Sequence, residues 1–219
     1  MIDILRDLGL PISISSNGPA IDETIALMHW LMLFLFIGWG TFFIVSLVKF
    51  RKSKSPQADY IGVKSHISTV FEVAVALIEI VLLIGFSFPI WASRVNDVPT
   101  SNKGIIHVRV VAQQYAWNIH YPGPDGIFGS TQSELVDEVS NPVGLDRSSF
   151  GASDDFITIN QLHIPVNKKV RIDLTTKDVI HSFKLPELRV GQDAIPGMSI
   201  PMHFEATMTS DQFLKKMVG

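Results

Sequence analysis

Few residues in this chain could do chemistry, and they fall in two places. Asp178-Val179-Ile180-His181-Ser182-Phe183 follows a run that reads as a strand, and a short loop then leads to Gln192-Asp193-Ala194-Ile195-Pro196-Gly197-Met198. The imidazole of His181 could hold a metal. On residue type alone, however, one histidine in a β domain is more often structural than a ligand. His66, His107, His120, His163 and His203 form no His-x-x-x-His or similar cluster, so spacing does not yield a metal site. The chain has no cysteine, which excludes a disulfide framework, a zinc–thiolate site, a cysteine nucleophile, an iron–sulfur cluster and haem attached through Cys-x-x-Cys-His.

The second place is an apolar run over about 69–93 that contains Glu72 and Glu79. Glu79 lies about 15 Å deep if the run is helical. A carboxylate there is expensive, so it faces protein or water rather than lipid. Seven residues is close to two helical turns, so Glu72 and Glu79 share a face. That face is expected to meet a partner. Glu72 reads either as the entrance of a proton path or as an interfacial residue whose carboxylate snorkels to water. Glu79 reads either as part of that path or as a hydrogen-bonded packing residue.

The elements that position these groups are legible. Ile25 to Val48 holds no charge and only His29 among ionisable groups, and it reaches about 36 Å as a helix, enough to cross a bilayer core. A polar stretch precedes it and the run is too long for a signal peptide, so a retained span is expected. Lys49, Arg51, Lys52, Lys54 and Lys64 lie between the two runs, whereas the first 22 residues hold Arg6 against Asp3, Asp7 and Asp22. The positive-inside rule therefore puts the loop in the cytoplasm and both flanking regions outside. Trp30 and Trp91 fall near the outer ends, where interfacial anchoring or ordinary helix packing accounts for them equally. The expected division is a membrane hairpin over 1–96 and an extramembrane domain over 97–219.

In the second part, Ile105–Val111, Gln113–Tyr121, Phe156–Leu162, Lys169–Thr175, Val179–Leu185 and Met198–Phe204 read as strands. Many short strands with turn signals between them predict an antiparallel sandwich or barrel. Pro122 to Asp155 is a long insertion with Asp125, Glu134, Asp137, Glu138, Asp146, Asp154 and Asp155 against Arg147. It reads as a solvated loop, or as an acidic surface that steers a basic partner. Ser210 to Gly219 reads as a short helix. The net charge of −3 carries no nucleic-acid footprint.

Two spans followed by an external β domain resemble subunit II of the haem–copper cytochrome oxidases. Gln113-Gln114-Tyr115-Ala116-Trp117-Asn118 resembles that family's aromatic segment, and Asn160-Gln161-Leu162-His163-Ile164-Pro165-Val166 its Leu-x-x-Pro strand. Asp178–Phe183 and Gln192–Met198 resemble its two best-marked motifs. The resemblance covers about Gly18 to Phe204. It implies an α+β membrane protein: a two-helix transmembrane hairpin, then a cupredoxin-like antiparallel β-sandwich. It further implies a binuclear copper centre that takes electrons from cytochrome c and passes them to the haems of subunit I. By position, His181 matches a copper-ligand histidine. Tyr115 stands where many members have the tryptophan of electron entry, and Trp117 matches the second tryptophan. Asp193 matches a residue at the subunit I interface, and Glu72 a glutamate at the mouth of a proton channel. No family role transfers to Glu79, where many members have proline. The implied location is a bacterial plasma membrane or mitochondrial inner membrane.

One departure weighs against the copper. The family's other ligands lie in a Cys-x-x-x-Cys-x-x-x-His-x-x-Met segment, which this chain lacks; His203, Met208 and Met217 do not reproduce its spacing. Three expectations stay open: a fragment ending before that segment, a split subunit whose second polypeptide supplies the ligands, or a structural subunit II that has lost the metal. Quinol oxidases have a copper-free subunit II, but His181 and the lack of a cysteine lipid anchor point away from them.

Overall fold

The computed structural model describes residues 1–57, 60–61, 65–99 and 104–218. Lys64, counted above with the basic loop, and Gly219 lie outside the described residues. The chain divides into two compact units, a helical one and a β one.

The helical unit begins with the short α1 (Ile2–Asp7), followed by α2 (Gly18–Lys49). Arg6 reaches Asp22 at 3.6 Å. A second long helix runs from Ile67 to Asn96. Its first part is α3 (Ile67–Leu82) and its last α4 (Phe88–Asn96), joined by a π-helical turn over Leu83–Ser87. In that turn the Phe88 N–H donates to the Leu83 carbonyl, five residues back. Pro89 has no N–H to give to the carbonyl of Gly85, and the wider turn just before it accommodates the defect. Both long helices carry an apolar window with no buried residue, and at 32 and 30 residues each is long enough to cross a hydrocarbon core. The protein is a membrane protein with two spans, as the composition predicted.

Among the described residues the β unit holds seven strands: β1 (Ile105–Gln113), β2 (Ala116–Tyr121), β3 (Phe156–Ile159), β4 (Lys169–Thr176), β5 (His181–Leu185), β6 (Val190–Ala194) and β7 (Ile200–Glu205). Five form a sheet in the order β3-β2-β1-β4-β7, and β5 pairs with β6 in a second sheet. Alternation decides what faces inward. Val108, Val110 and Ala112 of β1 and Val170, Ile172 and Leu174 of β4 are fully buried. They share one core with Phe204 of β7, with Phe183 and Ala194 from the second sheet and with Leu188 from the turn that joins its strands. The result is a two-layer sandwich. The C-terminal α5 (Ser210–Val218) is the expected short helix, and Thr209 and Gln212 cap its start reciprocally at 2.9 and 3.2 Å.

Four features add to or depart from the sequence pattern. The sandwich is not wholly antiparallel: β1 and β4 run parallel, from Ile105↔Lys169 to Ala112↔Thr176. Parallel neighbours need a long crossover, and β2, the insertion and β3 supply it. Val190–Ala194, not among the strands read from the sequence, is a strand because it completes the ladder of β5. Residues 92–96 and 11–19 group with the β unit. Their backbone bonds there, Ile14 N–H to Glu187 at 2.8 Å and Ser16 N–H to Glu205 at 3.0 Å, are non-local and carry no sequence signal.

The fourth concerns the insertion 122–155, which is packed rather than merely solvated. Val143, Leu145 and Ala152 form a small core against Val111 and Ile157. Asp155 accepts from His120 at 2.7 Å and from the Gly129 N–H at 2.9 Å. The Phe128 ring lies edge-on to His107 and His120, with the Arg109 guanidinium 4.1 Å from its centre. β2 is therefore buried on both faces over Asn118–Tyr121.

Candidate functional site

The site assembles where three pieces of β-unit backbone converge: the start of β5, the β4–β5 turn, and the β1–β2 turn. β4 ends at Thr176, and its hydroxyl donates to the Val179 carbonyl at 2.9 Å, which closes the turn. Asp178 sits at the corner. Its carboxylate accepts the Gln114 N–H at 2.7 Å and the Val179 N–H at 2.7 Å, and lies 2.7 Å from Nε2 of His181. The hydrogen bond from His181, followed by that from Gln114, holds the Asp178 carboxyl well below the usual carboxylate range. A carboxylate can only accept, so Nε2 of His181 carries the hydrogen in this contact, and a lone pair for a metal can only come from Nδ1. A histidine oriented in this way by a carboxylate is the arrangement found behind metal-ligating imidazoles.

Trp117 flanks this pair. Its ring lies 5.9 Å from the His181 ring and 5.2 Å from Phe183, both edge-on. Asn160 fixes the Trp117 backbone by accepting its N–H at 2.8 Å and returning its own N–H to the Trp117 carbonyl at 2.8 Å. Tyr115, two residues before Trp117, is 95% exposed in the β1–β2 turn. The structure thus brings His181 and Trp117 together and leaves the Tyr115 ring in solvent.

Asp193 lies on β6 opposite Ser182, one position from the Ala194 that pairs with His181, and its side chain is exposed. It is a neighbour in the ladder, not a member of the His181 cluster. Glu72 is on α3 in the other unit. Sequence reading overlooked Asp178 as the partner of His181 and Asn160 as the clamp on Trp117. The signal for the first was present, a carboxylate three residues before the histidine in a tight turn. For the second there was none, since the contact spans 43 residues.

The donor set can be tested against a binuclear copper centre. Such a centre needs bridging soft ligands. His181 offers one imidazole nitrogen, the chain has no thiolate, and no three His, Asp or Glu side chains group together among the described residues. The residues present do not fit a complete copper site.

A two-span membrane anchor followed by a two-sheet β domain with an Asp–His–Trp cluster at one end defines a membrane-anchored protein of cupredoxin-like fold. The family model for the cytochrome c oxidase subunit II periplasmic domain matches residues 106–213. The chain belongs to the cytochrome c oxidase subunit II family. It is 28% identical to an alternative cytochrome c oxidase subunit 2 of Bradyrhizobium diazoefficiens, over 84% of this chain and 65% of that one. It is 26% identical to cytochrome c oxidase subunit 2 of Cereibacter sphaeroides, over 86% of this chain and 65% of that one. The crystal structure of the periplasmic domain of subunit II of cytochrome oxidase of Bradyrhizobium japonicum is 29% identical, covering 52% of this chain and 70% of that one, with a TM-score of 0.33. The chain spans about 65% of the length of these two curated relatives.

Proposed function

We propose that this chain is the membrane-anchored subunit II of a respiratory cytochrome c oxidase. It associates with the haem-bearing subunit I and the other oxidase subunits, and it receives cytochrome c at the Tyr115–Trp117 end of the β domain. One observation carries the reading: within the segment matched by the family model, the His181 imidazole, held at Nε2 by Asp178, lies beside the Trp117 ring. Tyr115 offers an exposed π surface to a docked donor, and Trp117 lies behind it against His181. Acidic side chains of the insertion, Asp125, Glu134, Asp137, Glu138 and Asp146 among them, favour a basic partner electrostatically. Asp193 faces subunit I in this reading. Basic residues of the hairpin loop orient the protein with the loop cytoplasmic and the β domain on the periplasmic or intermembrane side. Glu72 then lies toward the cytoplasmic end of its span, as the entrance of a proton path.

His181 is the one copper ligand this chain contributes, and any binuclear centre draws its thiolates from outside these residues. The absence of cysteine also supports a second reading, a copper-free structural subunit II, either quinol-oxidase-like or split. His181→Ala in the assembled oxidase separates the two. Loss of a near-infrared copper band with both spans still inserted supports the first reading. A band unchanged by the substitution removes His181 as a ligand, and its absence from the unsubstituted complex favours the second reading.

A further inference from the structure

Four cations crowd one turn of this chain, and no carboxylate among the described residues answers them. Lys49 ends α2, and Arg51, Lys52 and Lys54 follow directly after it. No Asp or Glu lies between Glu23 and Asp59 in the sequence, and Asp59 is outside the described residues. The Lys49 ammonium sits over the Phe50 ring, 5.5 Å from its centre. Arg51, Lys52 and Lys54 are exposed and form no ion pair among the described residues.

The turn that carries them is built rather than slack. The Phe50 N–H donates to the Ser46 carbonyl at 2.9 Å and carries helical bonding one residue past α2. The Arg51 carbonyl then accepts the Lys54 N–H at 2.9 Å and the Ser55 N–H at 3.0 Å. The Ser55 hydroxyl donates back to the Lys49 carbonyl at 3.1 Å, which closes residues 49–55 onto the helix end and satisfies one of its carbonyls. Three cationic side chains thus leave one closed turn together, and little backbone order is left to lose when an anion binds. Their depth is set by α2. The uncharged run over 25–48 reaches about 36 Å against a hydrocarbon core of about 30 Å, so the turn emerges at the level of the lipid phosphates. The membrane itself supplies phosphates at that depth, which favours a lipid over a soluble anion or a nucleic acid as the occupant.

We propose that the closed turn over 49–55 is a headgroup site for an anionic phospholipid, with Arg51, Lys52 and Lys54 binding its phosphate oxygens. The Arg51 guanidinium can take two of those oxygens at once, and the two ammonium groups act as point charges beside it. The site differs from the charge bias that orients the hairpin. That bias counts cations over the whole loop, whereas a headgroup site needs them gathered in one closed turn. It requires the membrane spans and not the oxidase assignment.

The full chain is reconstituted in nanodiscs of equal parts phosphatidylglycerol and phosphatidylcholine, and the lipids it retains are counted by native mass spectrometry. The two faces of such a disc are alike, so a variant that inserts in reverse is scored equally. The expected result is retention of phosphatidylglycerol over phosphatidylcholine by at least about tenfold, on the scale of cations at a membrane surface. The triple variant Arg51→Gln, Lys52→Gln and Lys54→Gln should bring the two lipids within about twofold of each other. Lys168→Gln, Lys169→Gln and Lys184→Gln together remove as many cations from the β unit and should leave the preference unchanged. Ser55→Ala keeps every cation but opens the turn, and should lower the preference at least about threefold, as the loss of one hydrogen bond allows. Equal retention of the two lipids by the native chain, or a preference that survives the first triple variant, would overturn the proposal. So would an equal loss in the second triple variant, or indifference to Ser55→Ala, since either reduces the effect to overall charge. Displacement of the retained lipid by millimolar inorganic phosphate would make this a site for a soluble anion and overturn the lipid assignment.

Discussion

Asp155 and His120, thirty-five residues apart, meet through a 2.7 Å hydrogen bond with both side chains essentially inaccessible to solvent. The pair joins the last residue of the insertion to the end of β2, while Phe128 and Gly129 close over it. An acidic stretch that looks like a loop is in this way pinned to the sheet from beneath.

Breaking that pair leaves a buried group without its partner. Asp155→Ala is expected to cost about 3–5 kcal/mol, because His120 and the Gly129 N–H both lose their acceptor. Urea denaturation of the whole chain in detergent measures the cost, and limited proteolysis within 122–155 should accelerate in parallel. A loss below about 1 kcal/mol would mean that the insertion is held by its small apolar core instead.

The same histidine sets a pH dependence. Burial pushes the His120 imidazole below its ordinary value, against the opposing pull of Asp155. The unfolded chain then binds the proton more readily. The contribution to stability is complete above the unfolded value of about 6.5 and is lost as pH falls below it. His203 shifts in the same direction, through burial and then the nearby Arg94 charge. Denaturation midpoints between pH 7 and 5 should therefore fall with pH, and His120→Gln should flatten the slope without abolishing it. A slope unchanged by His120→Gln would exclude this source.

Asp178→Asn tests the orientation of His181. The amide cannot accept both the Gln114 N–H and the imidazole N–H while holding the ring in one tautomer. Nitrogen NMR of the His181 ring should show the Nε2–H form in the native protein and a mixture in the variant. The depressed carboxyl of Asp178 also stabilises the fold above the unfolded value of about 4, and this contribution is lost as pH falls through the folded value. The stability gap between native protein and variant should accordingly close in acid. A single tautomer retained in the variant would show that packing against Trp117, not Asp178, orients the ring.

Tyr115 and Trp117 should separate function from stability. Tyr115→Ala removes a ring that is 95% exposed and is expected to change stability by less than about 0.5 kcal/mol. It should nevertheless slow electron transfer from cytochrome c to the assembled oxidase. Trp117→Ala removes the packing against His181 and Phe183 and should cost about 2–3 kcal/mol. Stopped-flow reduction alongside thermal unfolding distinguishes the two effects, and an unaltered donor rate in Tyr115→Ala would place the entry point elsewhere.

Glu72→Ala is expected to slow proton-coupled turnover of the assembled oxidase while leaving cytochrome c binding unchanged. Turnover at the native rate would return Glu72 to an interfacial residue that snorkels.

Patterns repeating over a few residues were legible without the tertiary structure. Two apolar runs long enough to cross a bilayer, one without charge and one holding Glu72 and Glu79, announced α2 and the helix Ile67–Asn96, because hydrocarbon admits little else. Period-two alternation announced β1, β4 and β7, because each buries one face. The sequence also determined that no thiolate site can form within these residues. Everything that depends on which distant segments touch was left to the tertiary structure: the parallel β1–β4 pair, β6, and the return of residues 11–19 to the β unit. The same holds for Asn160 on Trp117 and for Asp155 beneath β2. Each is a contact between groups far apart in the chain, and side-chain type alone does not say which carboxylate meets which imidazole. Asp178 and His181 lie between these cases. They are close enough to have been paired by eye, but only the turn between β4 and β5 aims the carboxylate at Nε2 and so decides which nitrogen is left free.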